Sequence, residues 1–285
     1  MPVPLLRLPR LLIAGILLSS APLPAAPPPP DVSLKSAEAL RSEGELLNNR
    51  TLRKAVLERA AHLYRQYADA HAGPGGAKAL LQAAQIYLEL GGDDLLARAL
   101  ECVTLLEVRP DGAPLLPEAL MLKARLFRQQ KEWGRAVRTA ITCADQHPQN
   151  DCAPLALFEA AQIFETAIRN PAEAEAHYGR ILSEYPTSSV GPDALMARAG
   201  LRTQARQFPE AIADCLSLVE TYPASERADQ ALFDAITLYD SRLRDFPKAY
   251  ELCVRFRKQF PHSALLKKVE SIETRTLKYV SDSQR

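Results

Sequence analysis

The side chains here that could ligate a metal ion or act as nucleophiles are few: five histidines and five cysteines in 285 residues. Metal sites gather such ligands from short motifs, for instance two histidines one helical turn apart, so that all reach one ion. His62, His71, His147, His177 and His262 form no His-x-x-x-His pair and are strewn along the chain. Phosphate-binding loops and nucleophile elbows are missing too. Acidic residues are plentiful, in the dispersed pattern of solvated helix faces. The sequence thus predicts no catalytic residue, no cofactor and no metal site, and the chain reads as a non-enzyme.

The cysteines have a different signature. Cys102, Cys215 and Cys253 each stand eight residues before a proline, at 110, 223 and 261. A shared register of that kind suits a small apolar side chain packed between helices. Cys143 and Cys152 instead flank the turn Ala-Asp-Gln-His-Pro-Gln-Asn-Asp, and they are candidates for a disulfide if the following helix folds back. With five cysteines, at least one thiol stays free or pairs between chains.

Composition narrows the function classes. The chain is 47% hydrophobic and 24% charged, and its 35 Lys and Arg are balanced by 34 Asp and Glu. With no basic excess to meet phosphate, a nucleic-acid role is disfavoured. Proline is abundant at 22 residues, and nine of these fall in the first 30. That opening stretch has Arg7 and Arg10, the apolar run Leu11 to Leu18, then small residues to Ala26, which is the order of a secretory signal peptide. Residues 1–26 are expected to be cleaved near Ala25 or Ala26, leaving a Pro-rich spacer at 27–32 and a net charge of about −1. The first cysteine is Cys102, too deep in the chain to serve as a lipid attachment point after the leader. The expected location is therefore the periplasm or the exterior.

The other thirteen prolines carry a period. Pro110, Pro148, Pro186, Pro223 and Pro261 close successive segments at intervals of 38, 38, 37 and 38, while Pro171, Pro209 and Pro247 open others, 38 apart. Proline is tolerated in turns and in the first turn of a helix, where its missing N–H has no partner to lose. Between the prolines, apolar residues recur three and four apart, as in ALFEAAQIFETA (156–167), ALMLKARLF (119–127) and ALFDAITLY (231–239). Each period is thus a pair of antiparallel helices.

These units resemble the tetratricopeptide repeat. The first-helix pattern of bulky, small and aromatic residues is met by Leu80, Ala84 and Tyr87, by Leu120, Ala124 and Phe127, and by Leu157, Ala161 and Phe164. Leu232, Ile236 and Tyr239 fit less well, and Leu195, Ala199 and Arg202 depart at the aromatic position. Second helices match through Ala136, Ala140 and Pro148, through Ala174, Tyr178 and Pro186, through Ala211, Cys215 and Pro223, and through Ala249, Cys253 and Pro261. Units longer than the usual 34 residues, with Tyr-Pro-x-Ser at two ends, are similar to the periplasmic subfamily of BamD-type assembly proteins and CpoB-type coordinators. The first type is lipidated, which this chain does not match. The resemblance implies an all-α, right-handed superhelical solenoid with units near 33–73, 77–112, 117–150, 153–188, 191–225 and 228–262, and a cap helix at 264–281. The first unit is degenerate, and HAGPGG (71–76) reads as the loosest joint.

In such solenoids the first helices line an extended groove. The residue after each leading leucine, Leu81, Met121, Phe158, Met196 and Phe233, would face it, flanked by Gln85, Arg125 and Gln162. An apolar ladder of this sort suits an extended peptide or an amphipathic helix; the competing expectation is that these side chains pack against the neighbouring first helix. Two functions follow: an exported scaffold for cell-envelope proteins, in a peripheral outer-membrane complex, or an accessory regulatory or ligand-binding subunit of a cell-wall enzyme. Self-association is left open by the sequence.

Overall fold

The computed structural model describes residues 34–283. The expected leader (1–26) and spacer (27–32) lie outside the described residues. Thirteen α-helices occur among them: α1 (Leu34–Leu46), α2 (Arg50–Ala70), α3 (Pro74–Leu90), α4 (Asp93–Val108), α5 (Leu116–Gln129), α6 (Trp133–Gln146), α7 (Cys152–Ile163), α8 (Pro171–Glu184), α9 (Gly191–Gln204), α10 (Phe208–Thr221), α11 (Ala228–Leu238), α12 (Phe246–Gln259) and α13 (Leu266–Ser283). Each helix packs on the one before and the one after, and α3, α5 and α7 also touch in sequence. The result is an all-α solenoid of helix pairs in which α13 packs on α12 and caps the stack. No helix among the described residues is long and apolar enough to cross a membrane.

Small side chains set the helix spacing. Ala84, Ala124, Ala161, Ala136, Ala140, Ala174, Ala211 and Ala249 are all buried, as are Cys102, Cys215 and Cys253 in the same kind of position. A side chain of this size lets two helix axes approach to about 8–10 Å. Burial pushes the Cys102 thiol up to about 11 and those of Cys215 and Cys253 to about 12, so all three are neutral packing groups. The buried core forms three blocks, each spanning about two units.

The turns explain the prolines. Asn150, Ser188, Ser225 and Ser263 each follow a closing proline by two residues. Their side-chain oxygens accept from the backbone N–H two residues further on, at 2.8, 3.3, 3.2 and 3.1 Å. Pro-x-Ser is therefore a turn in which the proline fixes φ and the hydroxyl satisfies the N–H that starts the next helix. The junction after α8 has one further constraint: Tyr222 donates to the Pro186 carbonyl at 2.5 Å, and a Cβ on Gly191 would lie 2.1 Å from that hydroxyl. A larger residue there would have to push the Tyr222 ring aside and give up that bond.

Within units, first helices end on a left-handed residue: Lys131, Arg169, Arg206 and Arg244, at φ 60°, 60°, 62° and 52°. After α5 and α9 the loop closes tightly, Glu132 N–H to Phe127 O and Gln207 N–H to Arg202 O, both 2.8 Å. After α7 and α11 one more residue is accommodated as a π segment, Phe164–Ile168 and Tyr239–Leu243, and the closing bond spans Asn170 to Phe164 and Asp245 to Tyr239. The lack of this extra residue after α9 accounts for the 37-residue interval between Pro186 and Pro223 against the 38 of the intervals on either side, while the tight α5 unit keeps 38 because the 3-10 segment Pro110–Leu115 lengthens the turn before it.

The joint at 71–76 is closed rather than loose. Arg109 donates to the carbonyls of Ala68 (2.9 Å) and His71 (3.1 Å) and to Asp111 (2.8 Å), tying the end of α2 to the end of α4. His71 stacks on Tyr67 with centroids 4.1 Å apart, and a Cβ on Gly76 would meet the His71 carbonyl at 2.0 Å. Glycine and proline here serve a close backbone approach.

Candidate binding groove

The face made by the first helices contains a cavity of about 390 Å³, and every residue lining it comes from α3, α5 or α7. Gln85, Leu88 and Glu89 come from α3, Glu118, Met121, Leu122, Arg125 and Gln129 from α5, and Cys152 and Leu155 from α7. The α5 contribution follows from helical geometry, since positions 118, 121, 122, 125 and 129 share one face.

Of the eight residues expected to line a groove, Gln85, Met121 and Arg125 are brought together in this cavity, but Met121 is only 5% exposed and belongs to the core of the middle units. The others are placed differently. Leu81 is buried in the core of the first two units. Phe158 is half-buried and tilts onto Tyr178 of α8, with centroids 5.7 Å apart. Met196 and Phe233 are half-buried against the core of the last units, with Lys268 of α13 5.9 Å above the Phe233 ring. Gln162 is half-buried on α7. A single register therefore does not give one continuous apolar ladder: the fraction of each side chain left open depends on how closely the next first helix packs.

Electrostatics in and beside the cavity are uneven. Glu89 is paired with Arg53 at 2.7 Å, and Gln129 donates to the Leu88 carbonyl at 3.3 Å. Buried Glu159 of α7 accepts from Arg128 at 2.6 Å, while Arg125 stands 4.0 Å from it and is half exposed. Cys152 and Cys143 are both thiols, unbridged in the structure, and Cys143 donates to the Pro117 carbonyl at 3.4 Å. Burial pushes Cys143 up to about 12 and raises Cys152, with the Glu118 carboxylate adding to the latter.

Sequence reasoning passed over Glu118, Leu122 and Leu155. Glu118 was findable, since it stands two helical turns before Arg125. It also passed over the consequence of Arg202, which departs from the aromatic pattern. Where Phe127 carries Arg135 at 4.0 Å and Phe164 stacks on His177, Arg202 donates to Asp214 at 2.9 Å and to Glu175 at 2.8 Å. Arg198 holds the same buried Asp214 at 3.0 and 2.5 Å. An ion-pair network thus takes the place of the aromatic contact and links α8, α9 and α10.

The sequence profile of the tetratricopeptide repeat matches residues 155–188, from the second turn of α7 through the Pro-x-Ser turn. This segment is similar to one tetratricopeptide repeat. No curated protein sequence matches the chain. Among solved structures, Pseudomonas aeruginosa PilF is similar at 15% identity, covering 83% of this chain and 97% of that one, with a TM-score of 0.48. BtubC from P. vanneervenii is similar at 15% identity over 79% and 89%, with a TM-score of 0.49. The TPR2AB domain of yeast Sti1, in its pHSP90 complex, is similar at 14% identity over 86% and 99%, with a TM-score of 0.34. At these identities none of the three speaks to function.

Proposed function

We propose that this chain is an exported, non-catalytic adaptor that holds a peptide or helix of a cell-envelope protein against its first helices. The observation that carries the reading is the cavity of about 390 Å³ shared by three successive first helices. Half of its lining side chains are apolar and half, Gln85, Glu89, Glu118, Arg125 and Gln129, are polar or charged, so directional contacts can fix a segment in one orientation. Export is supported by the order of charged, apolar and small residues in 1–26. The similarity of the long Tyr-Pro-x-Ser units to the periplasmic subfamily supports a place in an outer-membrane-associated complex.

The test is in-cell photocrosslinking from Arg125 and Gln129, with Arg138 on the second helix α6 as control. An identified envelope protein trapped from the first two positions and not the third is the expected result. Recovery of a cell-wall glycan instead would favour an accessory subunit of a wall enzyme. Trapping of cytoplasmic proteins alone would overturn the export half of the proposal.

A further inference from the structure

The cavity between α3, α5 and α7 is polarised along α5. At one end, Glu118 has a carboxylate oxygen, Oε2, that is buried and accepts no hydrogen bond. A buried oxygen without a donor is unfavourable in the free protein, and a donor-bearing ligand would relieve it. At the other end stands Arg125, whose nearest acid, Glu159, is held more closely by Arg128. Seven residues at a rise of 1.5 Å separate Glu118 and Arg125 by roughly 10 Å along the helix. Met121 and Leu122 lie between them on the cavity wall. The other carboxylate of the wall, Glu89, is already paired with Arg53.

Resting on the groove reading above, we infer that the occupant is a peptide segment in the polyproline II conformation bearing a basic side chain, which pairs with Glu118, and an acidic side chain three residues away on the same face, which pairs with Arg125. A polyproline II chain advances about 3.1 Å per residue with about three residues per turn, so side chains three apart stand on one face about 9 Å apart, close to the spacing on α5. The two intervening residues pass over Met121 and Leu122, whose side chains are already buried in the core, so the two charges rather than apolar contact set the register. Gln85 offers a neutral amide that can both donate to and accept from the peptide backbone. A purely anionic ligand would approach Glu118 unfavourably, and an uncharged glycan would leave its carboxylate without a counter-charge. The match of opposite charges at a fixed separation sets register as well as affinity.

The experiment pans a display library of random twelve-residue peptides on the purified exported chain and measures the binding of one synthetic consensus peptide. The expected result is enrichment of Lys or Arg three positions from Asp or Glu. Glu118→Gln and Arg125→Gln should each weaken the consensus peptide roughly tenfold or more, the scale of losing a hydrogen bond to a charged group. The double charge reversal, Glu118→Lys with Arg125→Glu, should select the peptide of opposite polarity. Peptides whose binding falls with Met121→Ala and is indifferent to Glu118→Gln would overturn the charge assignment while leaving the groove in place. Peptides indifferent to all of these variants, or no enrichment at all, would overturn the groove reading itself. Arg125 is half exposed, so Arg125→Gln leaves the fold intact and provides a reading even if substitution at 118 perturbs α5.

Discussion

The first two helix pairs, α1 to α4, and the later units, from α5 onward, solve the same packing problem with different local chemistry. Between α3 and α4 the chain turns on Gly91 (φ 66°, ψ −178°) and Gly92 (φ 91°, ψ 145°). The Gly91 geometry belongs to a region open essentially to glycine alone. The later units turn instead on Lys131, Arg169, Arg206 and Arg244 in the left-handed helical region, for example φ 60°, ψ 44° at Arg169. A residue with a side chain can occupy that region at a modest cost, and a cation there faces the negative end of the helix it terminates. The joints differ as well. Arg109 bridges backbone carbonyls at the early joint, whereas buried Asp214 gathers two arginines in the later part. One kind of stack can therefore be locked by backbone contacts or by an internal ion cluster, and the two should fail differently.

The largest expected effect is at the ion cluster. Asp214→Ala leaves Arg198 and Arg202, both largely buried, without their shared acceptor and should cost about 3 kcal/mol. Denaturant melts give the magnitude. Hydrogen exchange gives its location: faster exchange in α9 and α10 with α2 and α3 unchanged would sustain the division into two regions, and a uniform loss would break it. Next is Gly91→Ala, which forces a Cβ into a backbone region that excludes it and should cost about 2 kcal/mol. An equal tolerance of alanine at Gly91 and at Arg169 would remove the contrast between the two turns.

A third effect depends on pH and belongs to the later region. His177 is buried against Phe164 and its Nδ1 has no partner; burial, reinforced by nearby Arg180, holds its pKa below the ordinary value of about 6.5. Glu173 and Asp145 oppose that shift without reversing it. The unfolded chain takes up this proton near 6.5 while the folded chain resists it. The contribution to stability is therefore full above about 6.5 and is lost as pH falls toward the folded value. Melting temperatures at about pH 7.5 and 5.5 should fall less for His177→Gln than for the unchanged protein. Smallest is Arg169→Gly, which relieves the left-handed backbone but adds freedom to the unfolded chain, for a net gain of about 0.5 kcal/mol. A loss of stability on this change would show that the arginine side chain holds the turn by contacts beyond its charge.

Much of the stack was legible because its signals are local. Proline position, three-and-four periodicity and the small residues at helix crossings all act within one or two turns of chain. Pro-x-Ser illustrates this: the proline, the serine and the N–H it accepts from lie within four residues of Val190 and of Leu265. The groove was only partly legible for the opposite reason. Leu81 and Met196 hold equivalent places in the repeat, yet Leu81 is buried and Met196 half-buried, because exposure is decided by the packing of the next helix rather than by register. Arg202 looked like a lapse in the pattern since its partners, Glu175 and Asp214, are 27 and 12 residues away.

By itself, then, the sequence determined that helices form in pairs, where they begin, and which small side chains sit between them, because those preferences are set by backbone sterics and by hydrogen bonds to near neighbours. The tertiary structure alone decided which charges meet and which are left unpaired. The buried Glu118 oxygen that no donor reaches, the cluster on Asp214 and the closed joint around Arg109 each depend on whether groups from different helices arrive within hydrogen-bond distance, and no periodicity in the chain encodes that arrival.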